Sequence, residues 1–372
     1  MRPVTRMPRH ILMTADAVGG VWTYSLDLAA GLAARGTRTT LALLGPAPDI
    51  AQRARALSVP GLELVETGLP LDWLAPTAPE VVQAGRAIAQ LASERGVELV
   101  QLNSPALAAD AYFDVPVLGV CHSCLATWWA AVKQGAMPGD FAWRSALLGS
   151  GYAACDALVA PSEAFALATR RAYGLSHAPE VVHNGRVPGA SAEAMDDIVF
   201  TAGRLWDEGK DLATLDRAAA QLDIPVLAAG PVEGPNGTAV SLPHLTRLGS
   251  LAGADVASWL SRGPIFVSTA RYEPFGLAVL EAAQAGCALV LSDIPTFREL
   301  WDGAAVFVAP GDAAGFAAAI TDVSRNREQR SSLRVAAQRR GRSLTAESMA
   351  DGIAAIQARL LRAAPRGRSE AA

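Results

Sequence analysis

The stretch from His10 to Gly45, "HILMTADAVGGVWTYSLDLAAGLAARGTRTTLALLG", runs a short apolar strand into a glycine loop, a helix and a second apolar strand. That succession is a βαβ unit, which commits the chain to a parallel sheet with right-handed crossovers. The helix is expected to stop on Gly36, a residue suited to the left-handed cap position. The same grammar continues through "VELVQLNS", "VPVLGVCHS", "DALVAPS" and "PEVVHNG" in the first half, with helical stretches such as "APEVVQAGRAIAQLASERG" between them. It resumes with "DIVFTAGR", "IPVLAAG", "HLTRLGS", "PIFVSTA", "ALVLSD" and "AAVFVAP" in the second half, where "KDLATLDRAAAQL" and "GLAVLEAAQAG" read as helices. The halves share no obvious sequence repeat, but both read as doubly wound α/β domains. The 372 residues exceed the size at which one core usually keeps growing. The stretch "GRVPGASAEAMDD" (185–197), rich in Gly, Pro, Ala, Ser and acids, is the best linker candidate.

Composition excludes several classes. With 51% hydrophobic and 18% charged residues the chain can bury a sizeable core and is not a disordered one. A net charge of -4 gives no general reason to expect nucleic acid, although the last stretch, "RAAPRGRSEAA", is locally basic and expected to fray. The apolar run at the N-terminus is too short for a signal peptide, and a cytoplasmic protein is expected. The uncharged segment 115–132 is interrupted by Pro116, Gly119, His122, Ser123 and Thr127, so it reads as a buried strand entering a helix rather than a membrane span. Of the four cysteines only Cys121 and Cys124 form a close pair, and with no second pair a zinc site is not supported. They read as small core residues.

Open parallel sheets bind ligands beyond the carboxyl ends of their strands, so the polar residues there matter most. Asn103, Ser104, His122, Ser162 and Asn184 close strands in the first half, and Arg204, Ser268 and Asp293 in the second. For Ser104, Ser162 and Asp293 a cap or turn role is at least as good a reading. Only two of the 32 basic residues are lysine, Lys133 and Lys210, which makes Lys210 look selected. In "AGRLWDEGKDLATL" Arg204 sits at a strand terminus, Lys210 lies in the following loop, and Asp211 is a candidate N-cap. A guanidinium fork and an ammonium near free helix amides suit a pyrophosphate.

In "RYEPFGLAVLE" Glu273 precedes a Pro-Phe-Gly turn, and Glu281 follows on the helix that Gly286 ends. Pro274 suits a first helical turn and Gly276 permits close approach, leaving the amides of Phe275, Gly276 and Leu277 to face a ligand. Carboxylates repel phosphate, so beside an anion site they accept from neutral vicinal hydroxyls. A pyrophosphate between two polyols is a nucleotide sugar.

With these motifs the chain resembles a family 4 retaining glycosyltransferase of the GT-B fold. "STARYEPFGLAVLEAAQAGCALVLSD" is similar to that family's paired-glutamate motif, "AGRLWDEGK" to its Arg and Lys motif, "DAVGGVWTY" to its first-domain Gly-Gly loop and "VVHNG" to the end of its first domain. The likeness runs from about residue 10 to residue 360. It implies an α/β architecture of two doubly wound Rossmann-like domains facing a central cleft. The expected divisions are an acceptor-side domain over 1–187, a donor-binding domain over 188–350, and a C-terminal helix over 351–372 returning toward the first domain.

The resemblance also implies roles. Arg204 and Lys210 grip the donor diphosphate, Glu281 the ribose, and Glu273 with the 275–277 amides the transferred sugar. Gly19 and Gly20 close on the phosphates from the first domain, and His122 stands by the sugar on the acceptor side, where Asn103 is a further candidate. Arg204, Lys210, Glu273 and His122 are the catalytic candidates. Where the family commonly has a Gly-rich loop this chain has "DIPTFREL", which leaves the residues facing the base, 293–299, open.

The expected reaction is metal-independent transfer of a hexosyl unit, with retention, from a UDP- or GDP-sugar to a hydroxyl acceptor that is a glycan, a lipid or a small molecule. No cofactor is expected beyond that co-substrate, because no DxD-like metal motif closes a strand. Alternatives are a non-catalytic nucleotide-sugar-binding protein and another GT-B enzyme, such as a sugar-nucleotide epimerase or a phosphorylase. A dinucleotide dehydrogenase lacks its glycine fingerprint here. The Trp-rich stretch 126–144 could line an acceptor groove or touch the inner membrane face peripherally, with packing of Trp128, Trp129 and Trp143 as the default.

Overall fold

Strands buried on both faces of a parallel sheet are apolar throughout rather than alternating. Strand β1 (His10–Asp16) follows this rule: Ile11, Leu12 and Met13 are all at 0% exposure. In the computed structural model, which describes residues 6–189, 191, 195–235 and 237–363, β1 is joined by β2 (Arg38–Leu44), β3 (Leu62–Glu66), β4 (Leu99–Leu102), β5 (Val117–Val120), β6 (Ala157–Ala160) and β7 (Glu180–Val181). They form a seven-stranded sheet in the order β3-β2-β1-β4-β5-β6-β7, every pairing parallel. A second sheet contains β8 (Val199–Ala202), β9 (Val226–Ala229), β10 (Thr246–Gly249), β11 (Ile265–Ser268), β12 (Ala288–Ser292) and β13 (Val306–Val308), in the order β10-β9-β8-β11-β12-β13 and again all parallel. Two Rossmann-like sheets with crossover helices are therefore present. The strand order reverses between β1 and β4 in one and between β8 and β11 in the other, and such switch points open a crevice at the strand ends.

The chain divides into two compact units. One comprises Met1–Trp129, Gly135–Gly185 and Ala346–Ala372, and the other Ala130–Gln134 and Arg186–Thr345. The first unit thus takes back the end of the chain. The Ala346–Ala363 helix buries Met349, Ala350, Ile353, Ile356 and Leu360 in the core that also holds Leu28 and Leu32 of the Gly20–Ala33 helix. These two helices meet so closely that a Cβ on Gly31 would lie 2.5 Å from that of Ala350. Arg35 closes the contact by donating from Nε to Asp351 at 2.9 Å.

Several local expectations need correcting. The first helix ends at Ala33, three residues before Gly36, which instead turns the chain at φ +84° toward β2. Strand β3 and the Ile50–Leu57 helix were not expected. Segment 115–132 does run from strand β5 into the Leu125–Val132 helix. Cys121 and Cys124 are buried, and burial pushes both thiols above their ordinary value. Trp128, Trp129 and Trp143 are half-buried rather than fully packed. Positions 190 and 192–194 of the linker candidate and the tail from 364 lie outside the described residues. Among the described residues, no helix is long and apolar enough to cross a membrane.

Candidate active site

In the second unit the switch point sets two loops side by side. The loop after β8 carries Arg204 and folds into a short 3-10 turn, Glu208–Lys210. Asp207 shapes it: its side chain accepts from the Gly209 amide at 2.9 Å and from Arg204 Nη2 at 3.0 Å. The loop after the neighbouring β11 is sewn to it. The Arg271 and Tyr272 amides donate to the Gly209 carbonyl at 2.9 and 3.1 Å, and Thr269 Oγ1 donates to the carbonyls of Lys210 and Asp211 at 3.1 and 3.0 Å. Fixing both backbones in this way brings the Lys210 ammonium onto the Glu273 carboxylate, where they form an ion pair.

Asp211 departs from expectation. It occupies the residue before the Leu212–Ala219 helix, at φ 48°, but its side chain does not cap an amide. The carboxylate instead accepts from Arg271 Nε and Thr214 Oγ1, both at 2.8 Å, and so ties the two loops together.

Pro274 also falls outside the helix, which begins at Leu277. The cap position is taken by Gly276 in the left-handed region (φ 95°, ψ 66°). A Cβ there would be strained and would come within 3.1 Å of the Phe297 ring. The amides of Gly276 and Leu277 have no acceptor among the described residues, so they add to the positive end of the helix dipole. The Phe275 side chain is core, at 3% exposure. Glu281, one turn into the helix, pairs with Arg186, whose Nε donates to Oε1 at 2.8 Å. Arg186 was not expected from sequence. In the segment 293–299, Asp293 pairs with Arg298 through two contacts of 2.6 and 2.8 Å, and that guanidinium holds its carboxyl below the usual range.

The first unit carries the other candidates. At its switch point Asp16, ending β1, accepts from the Val18 amide at 2.9 Å and shapes the loop leading to Gly19 and Gly20. Gly20 starts a helix on which Tyr24 lies one turn later, with its ring edge-on to His122 at 4.5 Å. Asn103 follows β4. Its Nδ2 donates to the Thr14 carbonyl at 2.7 Å and to Ser25 Oγ at 3.0 Å, which turns Oδ1 toward His122 Nε2 at 3.1 Å. Since Oδ1 can only accept, Nε2 carries the proton and Nδ1 keeps the lone pair. Desolvation pushes the imidazole down to about 3, so it is neutral at physiological pH. Sequence reading did not single out Asp72, in the segment after β3, whose carboxyl is raised by burial and further by the nearby charge of Asp16. A lone Asp in a loop gives no signal of that kind. Ser162 does act as a cap, accepting from the Phe165 amide at 3.2 Å. No group of three His, Cys, Asp or Glu side chains suited to a metal ion occurs among the described residues.

The Glycosyltransferase Family 4 model matches residues 18–187, and the Glycosyl transferases group 1 model matches residues 196–326. Glycogen synthase of Mycobacterium tuberculosis is 36% identical over 126 residues, a match covering 32% of this chain and only 29% of that protein. Sucrose-phosphate synthase from Thermosynechococcus elongatus superposes with a TM-score of 0.77 at 18% identity, covering 96% of this chain and 100% of the other. Anabaena HepE in complex with UDP-glucose gives 0.73 at 19% identity, covering 94% and 99%. At such identities these likenesses speak for the fold, which is that of the GT-B glycosyltransferases. Together with the two family models, they identify the chain as a glycosyltransferase of family 4.

Proposed function

We propose that this glycosyltransferase moves a hexosyl unit, with retention, from a nucleoside-diphosphate sugar to a hydroxyl acceptor without a metal ion. The observation that supports it most directly is the meeting of Arg204, Lys210, Glu273 and the unpaired amides of Gly276 and Leu277 at the adjoining ends of β8 and β11. Two carboxylates neutralise these cations, Glu273 that of Lys210 and Asp207 that of Arg204. A diphosphate entering there exchanges with those carboxylates for the two cations. The freed Glu273 then accepts from hydroxyls of the transferred sugar, and Glu281 takes the ribose. The roles that the family resemblance implies for Gly19, Gly20 and His122 of the first unit belong to this reading, with His122 oriented by Asn103.

As the C1–O bond to phosphate breaks, negative charge grows on the leaving oxygen. Arg204, Lys210 and the helix amides are fixed donors for that charge, the kind of preorganisation that lowers a barrier most. The acceptor oxygen bonds to C1 on the face the diphosphate leaves, and its proton passes to the departing phosphate oxygen, which preserves the anomeric configuration.

UDP-glucose is the first donor to try, since the HepE structure holds it. Purified protein incubated with UDP- and GDP-hexoses should release nucleoside diphosphate only when an acceptor glycan or lipid extract is added, and EDTA should not slow it. Release without acceptor would point instead to an epimerase or hydrolase. The Arg204→Ala/Lys210→Ala double variant should lose roughly 100-fold or more in turnover. Near-normal turnover would refute the roles given to both cations.

A further inference from the structure

Arg186 is the first residue of the second unit's main segment, and its backbone is held from several directions. Its amide donates to the Leu344 carbonyl at 3.2 Å, and it forms a parallel bridge with Thr345. Its carbonyl accepts from Gln284 Nε2 at 3.3 Å, and the same nitrogen donates to Gly341 and Leu344 at 3.1 and 3.2 Å. Gln284 is 2% exposed and lies on the Leu277–Ala285 helix, one turn beyond Glu281. One helix therefore anchors the Arg186 backbone through Gln284 and receives its side chain at Glu281.

We propose that Arg186 is a positioning residue for ribose recognition: it fixes the Glu281 carboxylate in one rotamer and cancels its charge toward the donor's diphosphate. The proposal rests on the reading of Glu281 as the ribose ligand. A free glutamate on a helix surface samples several rotamers, and fixing one of them only on binding would cost affinity. The guanidinium does that work beforehand. It is itself only 17% exposed, whereas the Glu281 side chain remains 29% exposed and reachable. A carboxylate has about four acceptor sites, so the guanidinium's hold on Oε1 does not by itself use up the capacity to accept from vicinal hydroxyls. Unpaired, the same carboxylate would repel a diphosphate in the same site; paired, its charge is offset toward the diphosphate while its oxygens still accept from hydroxyls.

The test compares binding of UDP, GDP and ADP with binding of their 2′,3′-dideoxy counterparts by titration calorimetry, using the full-length protein. The wild type should prefer the ribo form of its nucleotide by at least about 10-fold, as expected for hydrogen bonds to a charged acceptor. Arg186→Gln should weaken the dideoxy form somewhat, through the uncancelled Glu281 charge, and the ribo form much more, so that most of the preference is lost, and Arg186→Lys should recover part of it. Full preference in Arg186→Gln overturns the proposal, as does equal weakening of both forms, which is the mark of a merely structural ion pair. Should the Gln variant not fold, Arg186→Lys carries the test, with full wild-type preference overturning it. Glu281→Ala run in parallel separates the two levels. If that variant keeps the preference, or if no nucleotide binds the wild type, the reading of Glu281 falls and the role of Arg186 with it.

Discussion

A histidine whose proton is pinned by one neighbour and whose ring is desolvated responds to pH unlike one in water. His122 donates from Nε2 to Asn103 and stands against Tyr24. Its folded value of about 3 lies below the ordinary 6.5. Between those values the unfolded chain binds more protons than the folded one, so this group makes stability fall as pH drops from about 6.5 toward 3 and leaves it flat above. In histidine-labelled protein, the NMR shifts of the His122 ring should stay those of the neutral form down to pH ~4, and His122→Gln should flatten the acid loss of stability. Titration of this ring near its ordinary value would contradict the geometry described. At this scale several residues of the candidate cluster could be picked out from sequence. Lys210 stood out because lysine is so rare here, and Glu273 because of the Pro-Phe-Gly turn after it. Arg186 and Asp72 were not legible, since their surroundings come from residues remote in sequence: Glu281 for one, Asp16 for the other.

Among the elements, the contact between the Gly20–Ala33 and Ala346–Ala363 helices inverts a usual rule. Replacing a mid-helix glycine by alanine normally stabilises by about 1 kcal/mol. At Gly31 the added methyl would meet Ala350 at 2.5 Å, and neither helix has a flexible side chain at that point to yield. Gly31→Ala should therefore destabilise, by about 1–3 kcal/mol in urea unfolding, with Ala350→Gly in the same chain restoring part of the loss. A stabilised variant would show that the helices can separate at no cost. Strands buried on both faces announced themselves as apolar runs. Strand β3 did not, because it is an edge strand in which Glu63 and Glu66 interrupt the apolar pattern. Helix ends were misjudged where a side chain found a better partner, as Asp211 did in Arg271.

On the scale of the whole molecule, the first unit depends on the Ala346–Ala363 helix, which follows the second unit in sequence. Met349, Ile353, Ile356 and Leu360 are each at most 8% exposed in its core. At about 1.5–3 kcal/mol per buried side chain, their sum rivals the net stability of a typical domain. A chain ending at Thr345 should lose hydrogen-exchange protection across β1, β2 and β4 while keeping it across β8, β11 and β12, whose core is built from residues 198–337. Protection retained in β1 would mean that the helix is an accessory. Two doubly wound sheets could be read from the order of strand and helix, but pattern alone could not fix how the last helix docks, because the amphipathic stripe of a helix does not name the surface it covers.

That dependence also orders events in time. A ribosome adds residues from the N-terminus, and domains made first usually fold first. Here the half that emerges first has an open flank until the last helix leaves the exit tunnel, while the half made second already holds every residue its own sheet requires. Synthesis therefore runs against the order of completion, and a stalled or prematurely ended message would yield a product whose earlier portion is the one recognised by chaperones and proteases.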